Sequence, residues 1–88
     1  MFKPFITRRF KKDFKRFEHN KPVKIELDEV IGFLLKVEKL PEKYLDHPLN
    51  GNYGGTRECH LNPDVLFIYW TDDVFVQLYR ICSHSELF

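Results

Sequence analysis

The stretch HLNPDVLFIYWTDDVFVQLYRIC, residues 60–82, decides the fold of this 88-residue chain. Its centre, residues 65–70, is a continuous apolar run, which is the pattern of a buried strand. Turn-forming residues stand on either side of that run, and Asp72-Asp73 closes a hairpin onto a further strand over residues 74–82. Residues 53–60 form another strand pattern. The chain is therefore expected to contain three consecutive antiparallel strands.

Upstream of these strands, residues 2–7 form a short pattern that includes Pro4 and fits an edge strand, where a missing backbone donor faces solvent. Thr7 is a suitable N-cap for a helix that is expected to run from Arg8 to about His19. Apolar residues recur in it at four- and three-residue spacing, which predicts one buried face. These residues are Phe10, Phe14 and Phe17.

A second helix is predicted from Val23 to Lys39, with Pro22 in its first turn. Its buried face is expected to comprise Leu27, Val30, Ile31, Leu34 and Val37. The two helices form a hairpin that must pack against the sheet. We therefore expect one α+β domain over residues 1–88, with an N-terminal edge strand, a helical hairpin and a three-stranded antiparallel meander covered by helices on one face.

The composition, 43% hydrophobic and 16% aromatic, suffices for one globular core. No apolar run approaches the ~20 residues that a membrane span requires. The N-terminus has neither the apolar stretch nor the cleavage site of a signal peptide, so a cytoplasmic protein is expected. Cys59 and Cys82 form no disulfide framework and are expected to be buried thiols.

The near-neutral net charge of +1 conceals a strong asymmetry. Residues 1–24 hold nine Lys or Arg against Asp13 and Glu18, whereas the remainder is acidic. A cationic segment suggests an anionic partner such as RNA, DNA or an acidic protein, although the solvated face of an amphipathic helix has the same appearance. The residues expected to bind such a partner are Arg8, Lys11, Lys12, Lys15 and Arg16.

The side chains suited to chemistry lie in the second half of the chain. His60 ends one expected strand and Asp64 begins the next, so the hairpin brings these two together. Whether His47 and His84 approach them depends on the fold. Histidine exchanges protons near neutral pH, and Arg80 near the end of the last strand is suited to binding a phosphate. Three imidazoles and a carboxylate are also a ligand set for zinc or iron, although their spacing matches no common metal motif.

Several motifs in this region form an ordered pattern. They are YLDHPL at 44–49, RECH at 57–60, PD at 63–64, IY at 68–69 and SHSELF at 83–88, together with Gly51, Gly55 and Arg80. In order and spacing they resemble the YafQ-type ribonuclease toxins of the RelE/ParE superfamily. This sequence departs from the family pattern at Val65. The protein that gives the family its name has a tryptophan there, which could stack on a base.

The resemblance implies a RelE-like fold and the toxin of a type II toxin–antitoxin system. Such a toxin is an endoribonuclease that cleaves mRNA, typically in the ribosomal A site beside 16S rRNA, and a cognate antitoxin neutralises it within a hetero-oligomeric complex. The resemblance places the essential side chains at His47, His60, Asp64 and His84, and the terminal aromatic at Phe88. No cofactor is expected, and no metal.

From these residues we hypothesise attack by the ribose 2′-oxygen, which leaves a 2′,3′-cyclic phosphate. His84 is expected to be the general acid, Asp64 or His60 the general base, and Arg80 the group that stabilises the charged phosphorane. His47 would position the phosphate or share proton transfer. Arg57 and Phe88 would bind substrate, and Phe88 could instead support His84. The alternatives are a ParE-like or other non-catalytic binding module and a metal-dependent hydrolase.

Overall fold

The computed structural model describes residues 2–51 and 54–87. The predicted start of a strand at Tyr53 and the terminal Phe88 lie outside the described residues. The elements, in chain order, are β1 (Lys3–Ile6), α1 (Arg8–Phe14), α2 (Lys21–Leu35), a 3-10 helix (Glu42–Tyr44), β2 (His47–Pro48), β3 (Arg57–His60), β4 (Val65–Thr71), β5 (Phe75–Ser83) and α3 (His84–Leu87).

The strands form one five-stranded sheet in the order β1-β5-β4-β3-β2. The predicted antiparallel meander is confirmed, since β4 pairs with both β3 and β5 in that sense. The N-terminal edge strand is confirmed as well, and it runs parallel to β5. The two-residue strand β2 pairs with β3 in the antiparallel sense, in a segment where Pro48 and flanking turn formers give no strand pattern in the sequence.

The first helix begins as predicted, because the Thr7 side chain accepts a hydrogen bond from the backbone N–H of Phe10 at 3.1 Å. The predicted extension to His19 is wrong, since α1 ends at Phe14. The chain continues in tighter turns, in which the N–H of Arg16 donates to the carbonyl of Asp13 at 3.1 Å. Such tightening is common where a helix ends and the chain reverses.

The second helix begins two residues before its predicted start, because the Asn20 side chain accepts from the N–H of Val23 at 3.2 Å and caps it. It also ends earlier, at Leu35. Val37 then adopts a left-handed conformation with φ 61° and is 64% exposed, so its predicted place on the buried face is wrong. This left-handed residue reverses the chain and stops the helix.

The core lies between the helices and one face of the sheet. Phe10 from α1 meets Phe67 of β4 edge to face, with ring centroids 5.9 Å apart. The predicted stripe of α2 contributes Leu27, Val30 and Leu34, with Ile31 partly buried. None of the helices in residues 2–51 and 54–87 is long and apolar enough to cross a membrane.

Candidate active site

One row of cross-strand partners carries several polar side chains across the sheet. His47 pairs with Glu58, Glu58 with Ile68, and Ile68 with Arg80. Directly opposed residues share a face, and His60 lies on the same face as Glu58 because side chains alternate along a strand. The intervening Cys59 faces the core. The structure thus places His47, His60 and Arg80 on one face of the sheet, a grouping that the sequence left open.

The closest contacts on this face converge on the carboxylate of Glu58. Its Oε1 lies 3.3 Å from Nε2 of His60 and 3.6 Å from Nε2 of His47. The two imidazole rings are 6.2 Å apart between centroids. The Glu58 side chain is only 4% exposed, and its Oε2 has no hydrogen-bond partner in the described part of the chain. A buried carboxylate held between two imidazoles is a group suited to proton transfer or to ligand binding.

Glu58 is the residue that the sequence analysis missed. A glutamate two positions before His60 falls on the same strand face, and this spacing was the available signal. Charged residues in a strand usually face solvent, and nothing local indicated that His47 would cover this one. The carboxylate that lies against His60 is therefore that of Glu58, in the place expected for Asp64.

A backbone contact orients the ring of His47. Its Nδ1 donates to the carbonyl oxygen of Leu45 at 2.7 Å, which leaves Nε2 directed at Glu58. Leu45 itself has a left-handed conformation with φ 51°. Left-handed non-glycine residues cluster at functional sites, where the surrounding structure holds them. Both ring nitrogens of His47 thus face acceptor oxygens.

The same cluster has the donor set of a metal site. His47, Glu58 and His60 each offer one ligand atom, and these atoms lie within 4.8 Å of one another. Two imidazoles and a carboxylate suit zinc, copper or iron. Glu58 Oε2, which has no hydrogen-bond partner among the residues that the structure describes, is free to join such a cluster.

Asp64 and His84 lie together where β4 begins and β5 ends. The backbone N–H of His84 donates to the carbonyl of Asp64 at 2.7 Å, and the adjacent Val65 pairs with Ser83. The side chains of Asp64 and His84 are exposed. This end of the sheet is also that of His60, whose strand partner Leu66 pairs in turn with Cys82. His84 was expected after the last strand, and it opens the short helix α3.

Arg80 is held by an acidic residue of the first helix. Its Nε donates to Asp13 Oδ2 at 2.9 Å and its Nη2 to Asp13 Oδ1 at 3.2 Å. A cavity of about 570 Å³ adjoins this pair, with four cationic side chains and one carboxylate in its lining. It is lined by Arg9, Lys12, Asp13, Arg16 and Arg80. Of the predicted partner-binding residues of helix α1, Lys12 and Arg16 line this cavity, whereas Arg8, Lys11 and Lys15 are exposed outside it.

Arg57 lies on the other face of β3, away from Glu58. Its Nε donates to both carboxylate oxygens of Asp46, at 3.2 and 3.3 Å, and these hydrogen bonds raise its pKa. The buried Tyr69 hydroxyl donates to the same Asp46 at 2.7 Å, and burial raises the pKa of Tyr69. Arg57 is thus part of a hydrogen-bonded network that holds the segment before β2 in place.

Val65, where the sequence departs from the family pattern, is 5% exposed and packs in the core.

Comparison with solved structures finds this fold in bacterial toxins. A copper-bound mutant toxin from Helicobacter pylori matches with a TM-score of 0.91 and 41% identity over 100% of both chains. A chain of the Escherichia coli DinJ–YafQ complex matches with a TM-score of 0.86 and 28% identity, covering 100% of this chain and 99% of that one. The fold is the α+β architecture of RelE-like toxins, as expected.

A family model described as a bacterial toxin of type II toxin–antitoxin systems, YafQ, matches residues 2–88, and the chain belongs to this family. The expected resemblance is thereby confirmed. Among curated proteins, the mRNA interferase toxin YafQ of E. coli strain K12 is 41% identical over 49 residues. The match covers 56% of this chain and 53% of that protein, so the chain spans about half the length of this relative.

Proposed function

We propose that this protein is the toxin of a type II toxin–antitoxin system and an endoribonuclease that cleaves mRNA in the cytoplasm, in association with the ribosome. The observation that carries the proposal is the buried carboxylate of Glu58 between His47 and His60, on the sheet face that also carries Arg80. The name of the E. coli relative, an mRNA interferase, supports RNA as the substrate.

The reaction needs one base and one acid. The base removes the proton of a ribose 2′-hydroxyl, and the 2′-oxygen then attacks the adjacent phosphorus atom. The bond from phosphorus to the 5′-oxygen breaks, and the acid protonates that oxygen as it leaves. The products are a 2′,3′-cyclic phosphate and a free 5′-hydroxyl, so no oxidant, reductant or cofactor is consumed.

The exposed fractions of the His60 and Glu58 side chains indicate different roles for these two residues. The His60 side chain is 20% exposed and can reach a substrate, whereas that of Glu58 is 4% exposed and cannot. We assign the general base to His60, and Glu58 stabilises the imidazolium that forms when His60 takes the proton. A buried carboxylate that orients an imidazole and stabilises its charged form is a recurring catalytic arrangement. Asp64 then has no direct part in abstraction.

The remaining groups act on the phosphate and the leaving oxygen. His84 is exposed at the same end of the sheet as His60, and we assign it the general acid. Arg80 stabilises the negative charge that develops on phosphorus oxygens, and the cations of the adjacent cavity add to that field. His47, whose two ring nitrogens face Leu45 and Glu58, positions the Glu58 carboxylate beside His60. The cavity residues Lys12 and Arg16 bind neighbouring RNA phosphates.

His47, Glu58 and His60 would also hold a metal ion, since their ligand atoms lie within 4.8 Å of one another. Such an ion supplies Lewis-acid polarisation of a phosphoryl oxygen. In this cluster it would bind the Nε2 of His60 that otherwise contacts Glu58 Oε1, and so would replace the contact that stabilises the His60 imidazolium. We therefore assign the ribonuclease reaction to the metal-free cluster, in which Glu58 contacts His60 directly.

The basic residues of α1 and its turn are also the surface that we assign to ribosomal RNA and to an acidic segment of the antitoxin. The E. coli neighbour was crystallised as a DinJ–YafQ complex, which supports an antitoxin partner for this chain. Because both partners use the same cations, ribosome binding and antitoxin binding are mutually exclusive. A ternary complex of toxin, antitoxin and ribosome in a sedimentation assay would contradict this part of the proposal.

Primer extension on mRNA with purified protein, with and without ribosomes, tests the reaction. We expect cleavage by the wild-type protein and loss of cleavage in His60→Ala and His84→Ala. The matched control is His19→Ala, since the side chain of His19 is 95% exposed and contacts only Glu18 among the described ion pairs. Undiminished cleavage in both active-site variants would reject the assignment. Inhibition of translation without cleavage would favour a non-catalytic binding toxin.

A further inference from the structure

A second cavity opens beside the histidine cluster, on the side away from Arg80. It has a volume of about 410 Å³ and is lined by Glu26 on α2, by residues 43–45 and by residues 60–63. His60 is common to this lining and to the Glu58 cluster. A group bound in this cavity would therefore lie directly next to the side chain to which the proton abstraction is assigned.

Two of the polar residues that line this cavity, Glu26 and Lys43, form a pair of opposite charge. Nζ of Lys43 lies 3.7 Å from Oε2 of Glu26. The hydroxyl of Tyr44 donates to the same Oε2 at 2.6 Å. Burial and this hydrogen bond raise the pKa of Tyr44, so its hydroxyl remains a donor. An acceptor carboxylate thus stands beside a donor ammonium, and the Tyr44 hydroxyl holds the carboxylate in place.

The rest of the cavity is largely apolar. Leu45 at its rim is 61% exposed, held outward by its left-handed backbone, and Pro63 is exposed at the opposite turn. Leu61 is buried in the lining. Apolar walls with a few placed polar groups are typical of a site for a small planar ligand. The Leu45 carbonyl also binds His47, so the rim of this cavity and the histidine cluster are joined by one residue.

We propose, on the basis of the ribonuclease function, that this cavity takes the base of the nucleotide next to the scissile phosphate and that Glu26 and Lys43 select guanine. Unstacked bases in single-stranded RNA are read on their Watson–Crick edges. Guanine presents two adjacent N–H donors and one carbonyl acceptor on that edge. The carboxylate of Glu26 accepts from N1–H and the 2-amino group, and Lys43 donates to O6.

The other three bases fit this pair less well. Adenine and cytosine each have one amino donor on this edge, next to a ring nitrogen that is an acceptor. When the amino group donates to the carboxylate of Glu26, this ring nitrogen also faces the carboxylate, and neither group can donate to the other. Uracil offers one N–H between two carbonyl acceptors. A carboxylate that receives two hydrogen bonds therefore discriminates in favour of guanine, and one bidentate contact of this kind is worth about tenfold or more in affinity.

Binding of free nucleotides tests the pocket without requiring cleavage. Titration of 3′-GMP, 3′-AMP, 3′-CMP and 3′-UMP into the full-length protein, followed by NMR, should give the tightest binding for 3′-GMP, by about tenfold. The variant Glu26→Gln offers one acceptor and one donor in place of two acceptors, and it should lose this preference. Its amide oxygen still accepts from Tyr44, so its thermal unfolding should match that of the wild type.

The matched control is Glu29→Gln. Glu29 lies on the same helix with its carboxylate 4.0 Å from Nζ of Lys43, and it does not line the cavity. This variant changes the charge equally and should retain the preference for 3′-GMP. Equal affinities for the four nucleotides, or a preference that Glu26→Gln leaves unchanged, would overturn the proposal. A guanine preference in a protein that cleaves no RNA would refute the ribonuclease reaction and support the pocket.

Discussion

Asp13 and Arg80, which are 67 positions apart in the chain, are joined by two hydrogen bonds of 2.9 and 3.2 Å. The pair links α1 to β5, and its side chains are only 6% and 15% exposed. A guanidinium that binds both oxygens of one carboxylate has a fixed plane and position. The helix that carries the basic residues is thereby held against the strand that carries Arg80. The Asp13–Arg80 ion pair thus joins the basic surface of α1 to the candidate active site.

Replacing Asp13 with Asn should therefore impair both stability and cleavage. Removing one partner of a buried ion pair costs about 3–5 kcal/mol, because the other charge is left without compensation. Urea denaturation measures this loss. At a temperature where the variant is folded, kcat should also fall, since Arg80 is no longer held. Glu18→Gln, an exposed acid just beyond the helix, is the control, and equal losses in both variants would show that Asp13 has no special role.

The proposed role of Glu58 predicts that replacing it lowers the cleavage rate without lowering the free energy of unfolding. Glu58→Gln keeps the shape of the side chain and removes a buried charge whose Oε2 lacks a partner in the described residues. Its unfolding free energy should be equal to that of the wild type or higher, because the desolvation of a charge is relieved. Cleavage should fall by roughly 10²–10⁴, the usual contribution of acid–base catalysis. Full cleavage activity in Glu58→Gln would show that Glu58 has no part in the mechanism. The control is Glu42→Gln, because Glu42 is exposed.

The elements that the sequence predicted are those formed by neighbouring residues. The meander from β3 to β5 follows from apolar runs separated by turn-forming pairs, and the caps at Thr7 and Asn20 are equally local. Pairing of β1 with β5 joins residues about 70 positions apart, and no local pattern encodes it. The same reason explains why His60 was predicted as a site residue while its partner Glu58 was missed. The burial of Glu58 depends on the packing of β2 against β3.

A metal ion bound by His47, Glu58 and His60 should inhibit the ribonuclease. Zinc added to the wild-type protein should lower the cleavage rate, because zinc would replace the contact between Glu58 and Nε2 of His60 that stabilises the imidazolium. Treatment with EDTA should leave the activity of the metal-free protein unchanged. His47→Ala should weaken zinc binding in a calorimetric titration, whereas His19→Ala should not. Loss of activity in EDTA that added zinc restores would establish a metal-dependent hydrolase instead.

The left-handed residue that ends α2 predicts a stabilising substitution far from the site. Val37 has φ 61° and follows the helix at the position where glycine is usual. The N–H of Glu38 donates to the carbonyl of Phe33 at 2.9 Å, which is the bond that closes this type of helix end. A left-handed conformation costs a residue with a Cβ atom about 1–2 kcal/mol, and β-branching makes it less favourable still.

Val37→Gly should therefore raise the free energy of unfolding by about 1 kcal/mol, measured by urea denaturation, with cleavage unaffected. Val37 is 64% exposed, so little packing is lost with its side chain. Val74→Gly is the matched control, because Val74 is 49% exposed and is not among the described non-glycine residues with positive φ. That control should be neutral or destabilising, since glycine there only increases the entropy of the unfolded chain. A destabilised Val37→Gly variant would show that the valine side chain contributes more than its backbone conformation costs.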